Sequence, residues 1–311
     1  MNSRHIRITL ATSAILALAF VAPAHAAAGG IHGMKTAKAS CHRNCGGGSN
    51  NLSYHGGVGG IGVETAPKVY LVTWGWTSDP SGELAYIQNF YKGVGGSSWN
   101  NSVTQYCQNV ASGTINCAGI SGAQFAGNPS GMFAGLWQDT STPPSSPTQS
   151  QLASEAVAAA SHFGNTSSSS NASVQYVIAT ATGKSSSGFG TQYCAYHSAT
   201  SSSFGNIAYT NLPYITDAGA SCGQNFVNSN GLLDGVSIVG GHEMAESESD
   251  QFPNGGWLDA NGKENGDKCA WISSGQGAST NITLSTGTFA VQSLWSNAFN
   301  SGAGGCVITY P

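Results

Sequence analysis

Two short, continuously apolar segments constrain the fold of this chain most. Residues 68–76 read KVYLVTWGW and residues 174–180 read VQYVIAT. Both are rich in β-branched and aromatic residues and are too short for an ordinary helix, so each is predicted to be a buried strand. A weaker strand is predicted at 204–209, and helices are predicted at 83–91 and 151–163. This mixture of strands and helices predicts an α/β fold.

The start of the chain has the pattern of a secretory leader. Residues 1–26 begin with Arg4 and Arg7, continue with an apolar run and end in small residues. This pattern predicts a signal peptide and export to the extracellular space or the periplasm. The apolar run is shorter than the ~20 residues that a membrane span needs, so no membrane association is expected.

Composition divides the remainder of the chain into two parts. Residues 27–62 are rich in glycine and contain few large apolar side chains, which predicts a flexible arm or pro-segment that is dispensable for folding and is trimmed after export. Residues 63–311 are predicted to form a single mixed α/β domain with the functional site.

The chain contains eight cysteines. An exported protein folds in an oxidising compartment, where an even number of cysteines predicts disulfides rather than a metal cluster. Pairing neighbours along the chain is the simplest connectivity, and it gives Cys41/Cys45, Cys107/Cys117, Cys194/Cys222 and Cys269/Cys306.

Charge is scarce in this chain and unevenly distributed. Charged residues make up 8% of the sequence and the formal net charge is −4, so nucleic acids and anionic membranes are not expected as partners. Carboxylates that crowd together repel one another unless they are solvated or bind a cation. Seven of the 14 acidic residues lie within one short stretch, namely Glu243, Glu246, Glu248, Asp250, Asp259, Glu264 and Asp267.

Within this acidic stretch, residues 242–246 read HEMAE, an HExxE string. On a helix, His242 and Glu246 lie on one face and can bind the same metal ion, while Glu243 points elsewhere. Zinc proteases use this spacing with a second histidine, and zinc also accepts a carboxylate in that place. A further ligand is expected from the loop that follows, with Glu264 and Asp267 as candidates.

The same loop also predicts an alternative calcium site. Asp259, Asn261, Glu264 and Asp267 supply oxygen donors around the turn at Gly262, and calcium prefers oxygen ligands. The sequence therefore leaves zinc, calcium or both open as cofactors. His197, close to a predicted disulfide, is a candidate catalytic residue that donates a hydrogen bond to an oxyanion.

The residues just described resemble those of secreted bacterial proteins similar to the plant phosphate-induced, or exordium, family. The shared elements are the strand at 69–75, the segment around Tyr193 to His197, the GHEMAE string preceded by an apolar strand, and Glu264, Asp267 and Cys269. The resemblance implies an extracellular protein associated with growth. It does not imply a particular enzymatic activity, because the plant family has no agreed one.

Taken together, the sequence predicts a sheet with the HExxE helix packed on it, stapled by disulfides. The function predicted first is a secreted metal-dependent hydrolase, an endopeptidase of the zinc type that acts on a protein or peptide through a metal-bound water, with Glu243 as general base. Two alternatives remain open. One is a non-catalytic, calcium-stabilised protein that binds the cell wall or glycans, and the other is a metal-free acid carboxyl hydrolase.

Overall fold

The computed structural model describes residues 33–36 and 50–310. The predicted signal peptide and the cysteine pair Cys41/Cys45 lie outside the described residues. The helices are α1 (Glu83–Val94), α2 (Gln149–His162), α3 (Asp234–Ser249) and a short turn α4 (Phe299–Gly302). The strands are β1 (Ser53–Tyr54), β2 (Lys68–Trp74), β3 (Cys107–Gln108), β4 (Gln124–Phe125), β5 (Phe133–Asp139), β6 (Val174–Thr180), β7 (Tyr196–Ser202), β8 (Gly205–Leu212), β9 (Trp257–Leu258), β10 (Thr280–Leu284), β11 (Gly287–Val291), β12 (Leu294–Ser296) and β13 (Gly305–Val307).

A five-stranded mixed sheet with the order β5-β2-β6-β8-β7 organises the fold. Strands β5, β2, β6 and β8 are parallel, and β7 runs antiparallel to β8 at one edge. The two apolar segments of the sequence are the neighbouring strands β2 and β6, paired from Lys68 with Val174 to Trp74 with Thr180. Strands buried on both faces read as continuous apolar runs, which is why these two were predicted correctly.

Helices cover both faces of this sheet. On one face, α2 packs its Leu152 and Ala156 against Tyr176 and Ile178 of β6. On the other face, α1 and α3 belong to the larger core cluster, which contains Leu71 of β2 and side chains of the other strands. The predicted mixed α/β class is therefore confirmed.

Helix α3 is buried along its whole length of 16 residues. It lies between the sheet and the β10-β11 hairpin, whose Ala290 carbonyl accepts a hydrogen bond from Ser237 Oγ. The sequence predicted an apolar strand ahead of the HExxE helix, and this was wrong, because residues 234–241 form the first half of the same helix. The first half of a helix that is buried on all sides can lack a polar stripe. Its short apolar sequence then cannot be distinguished from that of a buried strand by periodicity.

Three of the predicted cysteine pairs form disulfides. They are Cys107–Cys117, Cys194–Cys222 and Cys269–Cys306. Cys194–Cys222 joins the segment before β7 to the 3-10 helix Ile215–Cys222 that precedes α3. Cys269–Cys306 joins the acidic loop to β13. Two of the three disulfides therefore anchor the elements around α3.

The described part of the predicted arm contributes to the core. Leu52 and Tyr54 are buried, and β1 pairs with β9 in a two-stranded antiparallel sheet. Composition alone underestimated this packing, because two large side chains among many glycines change the average little. In the described part of the chain, no helix combines the length and the apolar character that crossing a bilayer requires.

Gly235, the second residue of α3, tests how tightly this helix is held. A Cβ atom at this position would overlap the carbonyl oxygen of Cys222, so Gly235→Ala cannot be accommodated without moving backbone. We expect the free energy of unfolding to fall by about 2 kcal/mol, despite the better helix propensity of alanine.

Denaturant unfolding measures the change. Ser154→Ala, on the exposed face of α2, serves as the control and should stay within about 0.5 kcal/mol of the parent. An equally stable Gly235→Ala variant would contradict the packing described.

Candidate metal centre

The site is built around His242 and Glu246, which lie one helical turn apart on α3. His242 Nε2 lies 3.0 Å from Glu246 Oε1, and both side chains are fully buried. Two ligand atoms of a tetrahedral zinc ion lie roughly 3.3 Å apart when each is about 2.0 Å from the metal. The observed separation is close to that value, so the helix presents two donors at the spacing of a shared ion.

A buried glutamine fixes the orientation of the His242 ring. His242 Nδ1 lies 3.0 Å from Gln292 Oε1, which accepts its hydrogen bond when Nδ1 carries the proton. The amide of Gln292 donates in turn to the carbonyl oxygens of Gly266, at 2.8 Å, and Ser293, at 3.1 Å. This arrangement leaves Nε2 as the coordinating atom, because a second partner on the far nitrogen selects the tautomer of a ligating histidine.

The loop after α3 supplies further donors to Glu246. The backbone N–H of Asp267 donates to Glu246 Oε1 at 2.9 Å. Glu264 Oε2 lies 2.9 Å from His197 Nε2, which reaches the site from the edge strand β7. His197 Nε2 is also 3.7 Å from Glu246 Oε2. The two oxygens of Glu246 therefore face different neighbours.

These contacts form two sets of potential metal ligands that share Glu246. One set is His242, Glu246 and Asp267, and the other is His197, Glu246 and Glu264. Within each set the donor atoms lie within 4.8 Å of one another. Nitrogen and carboxylate donors together suit zinc and other first-row transition metals.

Electrostatics make the centre a favourable place for a cation. Burial, together with the charge of Glu246, raises the pKa of Glu264 well above its ordinary value. Burial raises the pKa of Glu243 in the same direction, opposed by the charge of His242. Burial lowers the pKa of His242, but the attraction of Glu246 and Glu243 outweighs it and raises this pKa to about 10. A divalent cation neutralises such carboxylates and competes with these protons, so its binding should release protons.

Glu243 belongs to neither set and points to a different group. Its Oε1 accepts a hydrogen bond of 3.1 Å from the backbone N–H of Met34. Its Oε2 is buried and has no hydrogen-bond partner among the described residues. Glu243 thus follows the ligand candidate His242 in the helix without belonging to either donor set.

The predicted calcium set is not brought together by this structure. The Asp259 carboxylate accepts from the N–H groups of Asn261 and Lys263 and forms an ion pair with Lys268 at 3.1 Å. Asp259 is in neither donor set found among the described residues. Glu264 and Asp267, which the calcium prediction grouped with it, belong instead to the two sets around Glu246.

The structure also brings in residues that the sequence gave no reason to choose. Gln292 follows β11, and Asn265 donates to the carbonyl of Ala245 and to Ser249 Oγ, at 2.9 Å each. Both are isolated amides without a motif around them. For His197, the sequence identified the residue but assigned it to an oxyanion, whereas the structure places it among potential metal ligands.

Comparisons with protein-family models, curated proteins and solved structures returned no match for this chain.

Gly266 gives a way to disturb the centre without removing a ligand. A Cβ atom there would lie 2.8 Å from His242 Nδ1 and 3.0 Å from Glu246 Oε1. We expect Gly266→Ala to weaken zinc binding by about tenfold or more, as other changes beside metal ligands do. Competition with a chelating dye measures the affinity. Gly262→Asn is the control, because asparagine tolerates the positive φ of 73° and the position has open space. Equal affinities for the two variants would place the ion elsewhere.

Proposed function

We propose that this protein is a secreted metal-dependent endopeptidase. His242, Glu246 and Asp267 hold a transition-metal ion, with zinc the first choice, and Glu243 is the general base. The observation that carries the proposal is the buried His242–Glu246 pair, 3.0 Å apart, with a second glutamate next to it that is free of both donor sets. The disulfides support folding in an oxidising compartment, which agrees with export.

The residues of the site divide the work of amide hydrolysis between them. The ion supplies polarisation of a water molecule and of the scissile carbonyl. Glu243 accepts a proton from the attacking water and returns it to the departing amine, so that one water is added across the bond. Burial raises the pKa of Glu243 above that of an exposed glutamate, which is the direction in which enzymes shift a carboxylate that serves as general base.

Gln292 and the loop have the task of orienting the ligands. Gln292 holds His242 with Nε2 toward the ion, and the Asp267 N–H fixes one oxygen of Glu246. His197 and Glu264 lie on the other side of Glu246, 2.9 Å from each other. Together with Glu246, this pair forms the second donor set, which could hold a second ion.

Metal content is the first test of the proposal. The purified protein, dialysed against zinc and then freed of unbound ions, should retain about one equivalent of metal, and His242→Ala or Glu246→Ala should retain about a tenth or less. His162→Ala is the matched control, because His162 is exposed and stacks on Trp137 outside the site. Elemental analysis gives the result. Metal retention by His242→Ala equal to that of the control would contradict the assignment.

Glu243→Gln separates catalysis from binding. Glutamine keeps the size of the side chain but cannot accept the proton, so hydrolysis of an unfolded protein should slow by roughly two to four orders of magnitude while metal content stays unchanged. The control is Glu248→Gln, which changes another fully buried glutamate of α3. A Glu243→Gln variant as active as this control would refute the mechanism. Activity that survives exhaustive chelation would favour a carboxyl hydrolase instead.

A further inference from the structure

A short segment of the N-terminal arm lies directly against the proposed base. Residues 33–36 are described, and Met34 among them is completely buried. The Met34 N–H donates to Glu243 Oε1 at 3.1 Å, and its carbonyl accepts from the N–H of Cys194 at 2.7 Å. Both main-chain polar groups of Met34 are thus used, the N–H by the base and the carbonyl by the segment that leads into the edge strand.

The neighbouring residue continues this contact. Lys35 forms an antiparallel bridge with Tyr193, and its carbonyl accepts a hydrogen bond of 2.7 Å from Trp271 Nε1. The Lys35 side chain itself is exposed. Because the contacts use main-chain atoms, they suit any extended polypeptide that lies beside the edge of the sheet. Four residues contact the main chain of Met34 and Lys35, and we call them the binding groove: Tyr193, Cys194, Glu243 and Trp271.

Two positions in the segment are selective for their side chain. A Cβ atom on Gly33 would lie 2.6 Å from Tyr196 Cβ and 2.7 Å from the carbonyl oxygen of Ala195, so only glycine fits there. Met34 follows with an unbranched apolar side chain that is 0% exposed. The groove therefore selects an extended peptide in which glycine precedes a buried apolar residue.

We propose that residues 33–36 occupy the groove in which this protein binds an extended polypeptide. While they are bound there, they prevent Glu243 from acting as the general base. The N–H of Met34 uses the Oε1 atom that would otherwise face a water molecule, and the buried segment keeps water away from the base. Release of residues 33–36 exposes the groove. The inhibitory role rests on the proposed function, whereas the peptide groove stands without it.

The test uses the full chain with the segment displaced by substitution. Gly33→Val collides with Tyr196, and Met34→Asp brings a carboxylate next to Glu243, so either change should expel the segment. Ile115→Asp adds the same charge at a position that is 52% exposed and serves as the control. The probe is a fluorescein-labelled peptide with the sequence of residues 31–38, IHGMKTAK. A second labelled peptide carries Gly33→Val.

Both segment variants should bind the first peptide and not the second, and the parent and Ile115→Asp should bind neither. The same two variants should hydrolyse an unfolded protein about tenfold faster than the parent, since an attached segment acts at a high effective concentration, and the free peptide should inhibit them. Hydrolysis at parental rates would overturn the inhibitory role.

The remaining outcomes separate this inference from the proposed function. If no form hydrolyses protein but the variants bind the peptide, the proposed function fails and the groove stands. If neither variant binds the peptide, the groove is refuted whatever the activity. Loss of cooperative unfolding in both variants, measured by denaturant titration, would make residues 33–36 a permanent part of the core and would also overturn the proposal.

Discussion

The complete burial of α3 is the constraint on which the rest of this structure depends. An interior helix has to place every side chain in a dry environment, and this one carries His242, Glu243, Glu246 and Glu248. Isolated buried charges cost several kcal/mol each, so each polar group needs a partner, a proton or a cation. The surrounding elements supply partners from Gln292, Asn100 and the loop at 264–267. The arrangement around the helix is therefore set by the needs of its polar residues.

The carboxylates of this helix are handled in two different ways. Glu248 is in neither donor set, accepts a hydrogen bond from Asn100 Nδ2 at 3.2 Å, and has a pKa raised well above its ordinary value by burial and by Glu64. Such a group is stabilised in the protonated form. Glu246 instead has two histidine nitrogens close to its oxygens, at 3.0 and 3.7 Å, and belongs to both donor sets. Both residues lie in the last turn of α3 but on different sides of it, because two residues of a helix are about 200° apart, and only the side of Glu246 carries the donor sets.

The sequence predicted those parts of the fold that depend on short-range pattern. Strands β2 and β6 were recognised because each is apolar throughout, and HExxE placed His242 and Glu246 together because one helical turn fixes their spacing. The strands β5 and β7 were missed because their many exposed or half-buried residues blur the alternation. Gln292 and Met34 were missed because they lie 50 and 209 residues from the partners they contact. Contacts of that kind follow from the chain path, which local patterns do not encode.

The sharing of Glu246 by two donor sets has a thermodynamic consequence. One carboxylate can bridge two cations through its two oxygens, but a cation at one oxygen withdraws electron density from the other and repels a second positive charge nearby. Occupation of the His242 side would thus reduce the affinity of the His197 side, and linkage requires the effect to be the same in the opposite direction. Titration of the site with metal would then proceed in two separated steps, with the first ion setting the concentration at which the second can enter.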